Sequence, residues 1–232
     1  MTTFVLVPGA GGAASDWHRL VPELRRLGHE TIAVSLPAGD EEAGLEAYAD
    51  VIVAAAAGRP EVVLVAHSMG GLSAPLTCDR LPLRQVVLLN AMIPVPGETG
   101  GDWWAATGQR EARRAFDVQE GRDPDAEFDD LVYFYHDVPQ QVVADVTAGP
   151  DPEQAGRPFA EPWPLAAWPD VPTRVLVARD DRVFPPEFQT RLAQERLGIT
   201  PEIVPGGHMC ALSFPAELAA ILDRGLGLTP EG

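Results

Sequence analysis

The chain of 232 residues contains no lysine, so all 17 of its basic side chains are arginine. That absence excludes chemistry built on a lysine amine: a Schiff base to substrate, a pyridoxal phosphate anchor, or the lysine of a phosphate-binding loop. Cysteine is almost as scarce. Cys78 and Cys210 stand far apart without metal-ligand spacing, so neither a disulfide framework nor a zinc site is expected, and a reducing cytoplasm suits the chain. Positive charge is the minority sign, with 17 arginines against 34 acidic residues and a formal net charge of -17. Nucleic acid and anionic membranes both require basic patches, so neither is expected as a partner. No apolar stretch approaches the ~20 residues of a membrane span, and the first residues lack the basic flank of a secretory signal. The expectation is a soluble cytoplasmic protein, monomer or homodimer, that uses no cofactor or metal and takes a small-molecule substrate. Richness in Ala, Arg, Gly and Pro without lysine fits a high-GC bacterial genome.

What is present can bury a core: 46% of the residues are hydrophobic, enough for one domain carrying an insertion. Short apolar runs at 3–7, 31–36, 62–66 and 86–89 read as buried strands, and 15–27, 45–57 and 69–80 as helices between them. Ser15 or Asp16 would cap the first helix and Gly28 would end it. The alternation resumes with a strand at 174–178, a helix at 186–197, a short strand at 202–204 and a helix at 214–226. Strand and helix in turn predict an α/β fold, a doubly wound, mostly parallel sheet covered on both faces. That core takes residues 1–93 and 170–232. Residues 94–169 contain no strand-like run, are too long for a bare loop, and predict an inserted helical cap. Within it 111–116, 127–135 and 140–146 look helical and 149–169 irregular, with Gly97, Gly100 and Gly101 as candidate hinges.

The run Val62-Val-Leu-Val-Ala66 ends at His67-Ser68-Met69-Gly70-Gly71, a serine wedged among small residues before helix-forming sequence. This is how a nucleophile elbow reads: a sharp turn needs neighbours without bulk and lifts the Ser68 hydroxyl clear of the backbone. At a helix start, free N–H groups and the dipole favour developing negative charge. Acyl transfer is the chemistry implied, and a serine hydroxyl then needs a base oriented by a carboxylate. His208 follows Gly206-Gly207 just beyond a strand, at the sheet edge where open α/β sheets place their sites, and is the candidate base. His18, His29 and His67 read as structural. The acid should also follow a strand, and 174–178 runs into Asp180 and Asp181, either of which could serve. Oxyanion donors are expected from the Met69 N–H and from the Ala10 N–H in the small-residue loop Pro8-Gly-Ala-Gly-Gly12. That loop does not fit the dinucleotide pattern G-x-G-x-x-G, because position 14 is alanine.

Four of the five tryptophans, Trp103, Trp104, Trp163 and Trp168, fall in the cap segment. They either pack the cap onto the sheet or line an apolar pocket over Ser68, for which Trp103, Trp104 and Trp163 are the candidates. Tyr133-Phe-Tyr-His136-Asp137 has two readings as well. Its aromatics pack downward while Asp137 caps the next helix, or His136 and Asp137 reach into the pocket.

With these residues in this order, the chain resembles the α/β-hydrolase superfamily. Val5-Leu-Val-Pro8-Gly9-Ala10-Gly-Gly, Trp17, Ala66-His-Ser-Met-Gly70, Asp181 and Gly207-His208-Met-Cys-Ala-Leu212-Ser213-Phe-Pro215 look most like the branch of small esterases, plant methylesterases and hydroxynitrile lyases. The resemblance implies Asp181 as the acid, three residues after the small Ala178 at the strand end. Ala66 replaces the usual first glycine of the elbow and Pro8 the usual histidine before the loop glycine, and neither change removes a catalytic atom. The lyases carry threonine where Gly9 stands and lysine where Met209 stands, so cyanohydrin cleavage is not implied. The expected activity is hydrolysis of a small carboxylic ester through an acyl-enzyme on Ser68. Competing readings are a ligand-binding or signalling protein on the same scaffold, or a lactonase, thioesterase, cyclase or C–C hydrolase.

Overall fold

A computed structural model describes residues 2–149 and 153–227. Six strands, β1 (Thr3–Val7), β2 (Glu30–Ala33), β3 (Val62–His67), β4 (Leu83–Leu89), β5 (Thr173–Ala178) and β6 (Glu202–Val204), form one sheet. Their order is β2-β1-β3-β4-β5-β6, and every neighbouring pair is parallel. Helices follow in chain order: α1 (Leu20–Arg26), α2 (Leu45–Ala56) and α3 (Gly70–Ser73); then α4 (Gly100–Thr107), α5 (Gln109–Gln119), α6 (Asp130–Tyr133), α7 (Gln140–Val146) and α8 (Arg157–Ala160) between β4 and β5; finally α9 (Pro186–Leu197), α10 (Cys210–Ser213) and α11 (Pro215–Arg224). No helix among the described residues is long and apolar enough to cross a membrane.

Continuous Val, Leu and Ile runs make strands that bury both faces, as a parallel sheet requires. Successive side chains then feed two separate cores. Phe4, Leu6, Val63, Val65, Val87 and Leu176 pack with Leu24 of α1 and Leu218 of α11. Their sequence neighbours Val5, Val7, Leu64, Val86 and Val177 pack with Ile52 of α2 and Leu192 of α9. The order reverses between β1 and β3, so their C-terminal ends open side by side, the crevice where such sheets bind ligands.

Several elements differ from the sequence expectation for identifiable reasons. The helix expected over 69–80 breaks into α3 and a 3₁₀ turn at Ala74–Thr77, because Pro75 lacks an N–H and its ring clashes with the preceding turn. The helix expected from residue 15 is a 3₁₀ turn, Ala14–Trp17, followed by α1, and neither Ser15 nor Asp16 caps it with a side chain. Asp16 is thereby released from a structural role at a helix end. In the segment 94–169, α4 was hidden by its Gly100-Gly101 start. A side-chain cap compensates, since Thr99 Oγ1 accepts from Asp102 N at 2.9 Å. Gly100 is buried in that first turn, where a Cβ would stand 2.9 Å from Phe159 and 3.0 Å from Leu72. Part of the stretch expected to be irregular lies outside the described residues, and the remainder contains the single turn α8.

Candidate active site

At the end of β3, Ser68 adopts φ +52°, a region that residues with a Cβ rarely enter. The surroundings hold it there. Its N–H donates to Leu89 O at 3.3 Å, and its carbonyl accepts from Gly71 N at 3.1 Å and Met92 N at 2.9 Å. Close approach explains the glycines. A Cβ on Gly70 would stand 2.8 Å from Pro8 O, and one on Gly9 would stand 2.8 Å from Ser68 Cβ. The loop after β1 therefore lies directly against the serine.

His208, carried by the loop after β6, is 1% exposed. Its Nδ1 lies 2.8 Å from Asp181 Oδ2. Asp181 is fully buried, and its other oxygen accepts from Val183 N at 2.8 Å and Phe184 N at 2.9 Å. Facing a carboxylate, Nδ1 is the nitrogen that carries the proton, which leaves the lone pair of a neutral ring on Nε2. That Nε2 is buried and has no hydrogen-bond partner. Asp180 behaves differently: its carboxylate pairs with Arg179 at 3.3 Å and is 46% exposed, so the structure brings Asp181 and not Asp180 to the histidine. The rings of Phe134 and Phe184 each meet the imidazole at 5.3 Å and restrict its tilt.

Two further residues hold this loop. His67 is buried, and its Nε2 donates to His208 O at 2.9 Å. Burial, reinforced by the neighbouring His208, pushes its pKa well below the usual histidine range, so it serves as a neutral donor. Asn90, at the end of β4, was not anticipated. It sits at φ +46°, fully buried, accepting from Ala178 N at 2.8 Å through Oδ1 and donating to His208 O at 3.1 Å through Nδ2. One side chain thus ties the strand leading to Asp181 to the loop carrying His208. The signal available in sequence was a polar residue closing an apolar strand, of a type that tolerates left-handed backbone.

Ser68 and His208 line a common cavity of about 600 Å³, walled by Ala10, Met69, Trp104, Phe134, Phe159 and Phe184 among others. In the loop after β1, Gly11 N donates to Gln154 Oε1 at 3.1 Å and Gly12 N to Gly9 O at 3.2 Å. The Ala10 and Met69 N–H groups donate to nothing among the described residues. Of the expected pocket residues, Trp104 alone reaches this cavity. Trp103 and Trp163 are buried in the core, because an indole N–H removed from water needs an acceptor. They find it in Ile93 O at 3.1 Å and Leu72 O at 3.0 Å. His136 and Asp137 line a different cavity, of about 860 Å³, between α5 and α9. Their polar atoms face the site's loops from behind: His136 Nε2 lies 3.0 Å from Asp180 O, and Asp137 Oδ2 accepts from Gly207 N at 2.7 Å. Asp137 therefore does not cap α7, whose N-cap residue is Pro139. Among the described residues no cluster of three or more His, Cys, Asp or Glu side chains is arranged to hold a metal ion.

The chain is similar to known proteins along its whole length. A probable esterase of Oryza sativa subsp. indica is 39% identical over 111 residues, covering 42% of each chain. The chain thus spans about two fifths of that relative's length. A probable hydrolase of Phoma sp. is 28% identical over 97% of this chain and 98% of its own. Among solved structures, a pyrethroid hydrolase from Sphingobium faniae JZ-2 superposes with a TM-score of 0.74 at 20% identity, over 100% of this chain and 99% of that one, which establishes the common fold. Residues 4–221 match the alpha/beta hydrolase family, and the chain, with its parallel sheet and its serine at the turn after β3, belongs to that family.

Proposed function

We propose that the protein is a serine hydrolase that cleaves a small carboxylic ester through an acyl-enzyme on Ser68. The observation that carries this reading is the His208–Asp181 pair: Nδ1 is committed to a buried carboxylate and Nε2 is unpartnered, in the cavity that contains Ser68. His208 Nε2 takes the Ser68 proton as Oγ attacks the ester carbonyl, then gives it to the leaving alcohol. Asp181 holds the ring in one tautomer and offsets the charge of the imidazolium. The free N–H groups of Ala10 and Met69 receive the oxyanion, where loss of one donor typically costs ~3 kcal/mol of transition-state stabilisation. Water activated by His208 then releases the acid. Gly9 against Ser68 supplies no hydroxyl and Met209 in the cavity wall no ammonium, so the groups associated with cyanohydrin cleavage are missing.

The test is a chain-length series of p-nitrophenyl esters with wild type and Ser68→Ala, alongside a fluorophosphonate label. Labelling at Ser68 with turnover and a burst of p-nitrophenol supports the reading. Undiminished turnover in Ser68→Ala would sink it. Saturable binding without labelling or turnover would transfer the weight to a binding protein on this scaffold.

A further inference from the structure

Asp16 is a titratable group of the cavity that the mechanism leaves unused. Asp16, in the 3₁₀ turn after β1, lines the Ser68 cavity between Ser15 and the histidine loop. Its carboxylate accepts no hydrogen bond and forms no ion pair among the described residues. Burial raises its pKa from 3.8 to about 6, with the neighbouring His18 pulling it back down. Asp16 is half-buried, and a carboxylate partly withdrawn from water without a partner destabilises the fold, with no helix cap or salt bridge among the described residues to offset that. Groups retained against stability in a cavity wall are commonly retained for what they bind.

The rest of the wall agrees in sign. Among the described residues no arginine lines this cavity, and its basic side chains are those of His67 and His208. Trp104, Phe134, Tyr135, Phe159 and Phe184 add aromatic surface. A carboxylate with no ion-pair partner among the described residues, in a cavity that also presents aromatic faces, is the chemistry that holds a substituted ammonium group. The same field opposes a carboxylate or phosphate on the substrate.

We propose that the substrate of this site is an ester bearing a cationic amine, and that Asp16 is the residue that selects it over neutral and anionic esters. The inference rests on the reading of Ser68 as an esterase nucleophile and adds the substrate's charge. With the ester carbonyl on Ser68 and its oxygen toward Ala10 and Met69, the ammonium group lies toward the Asp16 wall.

Three p-nitrophenyl esters of similar size test this: those of trimethylammoniobutanoic acid, of its uncharged tert-butyl isostere, and of glutaric acid as the monoester. Wild type should favour the cationic ester over the isostere by about 10- to 100-fold in kcat/KM, the scale for a quaternary ammonium near a carboxylate and aromatic faces partly withdrawn from water, with the glutarate monoester poorest. In Asp16→Asn the cation-to-neutral ratio should collapse toward one, and Asp16→Ser provides a second folded variant. Equal turnover of cationic and neutral esters by wild type, or a preference that survives in both variants, overturns the proposal. Turnover of the neutral ester, abolished in Ser68→Ala, reports separately on the esterase reading. Were no ester turned over, calorimetric titration of the cationic ester and its isostere into Ser68→Ala protein would still decide the matter. Tighter binding of the cation, lost on adding Asp16→Asn, supports the proposal, and equal binding refutes it.

Discussion

Asp16→Asn should stabilise the protein, and more so as the pH rises. The carboxyl keeps its ordinary pKa of 3.8 in the unfolded chain and is raised to about 6 in the folded one, mainly by burial. The folded state therefore binds the proton more tightly, and stability falls as pH rises between those two values. Below both the group is protonated in either state and contributes nothing. Above both the destabilisation is complete, at roughly 3 kcal/mol for a shift of about two units. At about pH 4.5 only roughly 1 kcal/mol of it has developed. Contact with cavity water and the unpartnered amide of the replacement both reduce the recoverable amount, to about 1–2 kcal/mol at about pH 8. For a chain of this size each kcal/mol moves Tm by roughly 2–4 °C. Differential scanning fluorimetry of both proteins across that pH range should show Tm curves that lie close together in acid and separate toward alkaline pH, the variant higher. Parallel curves, or a variant that melts lower at alkaline pH, would refute the claim that Asp16 is an unpartnered carboxylate held at the expense of stability.

Other substitutions separate roles that lie close together. Asp181→Asn should lower kcat by roughly 10⁴-fold, the scale for losing the orienting carboxylate of a serine triad. Asp180→Asn, which breaks only a surface pair, should stay within about twofold, and comparable losses in both would invalidate the assignment of the acid. Asn90→Ala removes the buried bonds to Ala178 and His208 and leaves a strained φ unsupported. A loss of about 2–4 kcal/mol in urea unfolding is expected, with kcat reduced more than KM is changed. Trp104→Ala should shift the acyl-length optimum toward longer esters. Trp103→Ala should instead cost about 3–5 kcal/mol of stability and leave that optimum in place, and a shifted optimum there would contradict its burial in the core.

The sheet and the residues at its C-terminal edge were legible because their signals are local. An uninterrupted apolar run puts apolar side chains on both faces of a strand, so β1, β3 and β5 announce themselves as buried on both sides, and Ser68, Asp181 and His208 each stand within four residues of a strand's end. The pocket was not legible, because which face of a short helix between β4 and β5 turns inward depends on contacts made far away in sequence. Trp103 and Trp104 are adjacent, yet one finds Ile93 O inside the core and the other reaches the cavity. Asn90 was missed for a related reason. Its importance lies in bonds to residues 88 and 118 positions away, which no local pattern encodes. Asp16 was read as a helix cap because its sequence context suits one, and the 3₁₀ turn that forms instead turns it toward the cavity.

The bonds from His136 to Asp180 and from Asp137 to Gly207 carry a consequence for how this fold can change. The insertion between β4 and β5 grips, halfway along its length, the two loops that carry Asp181 and His208. It resembles a bracket more than a door. Exchanging residues around 100–107 or 140–146 alters the walls of the cavity while leaving that grip intact, whereas changes at 133–137 reach the loops of Asp181 and His208. On the proposed function, new substrate preferences are therefore open along the two flanks of this insertion, and the five residues between them form the part that a working variant must keep in place.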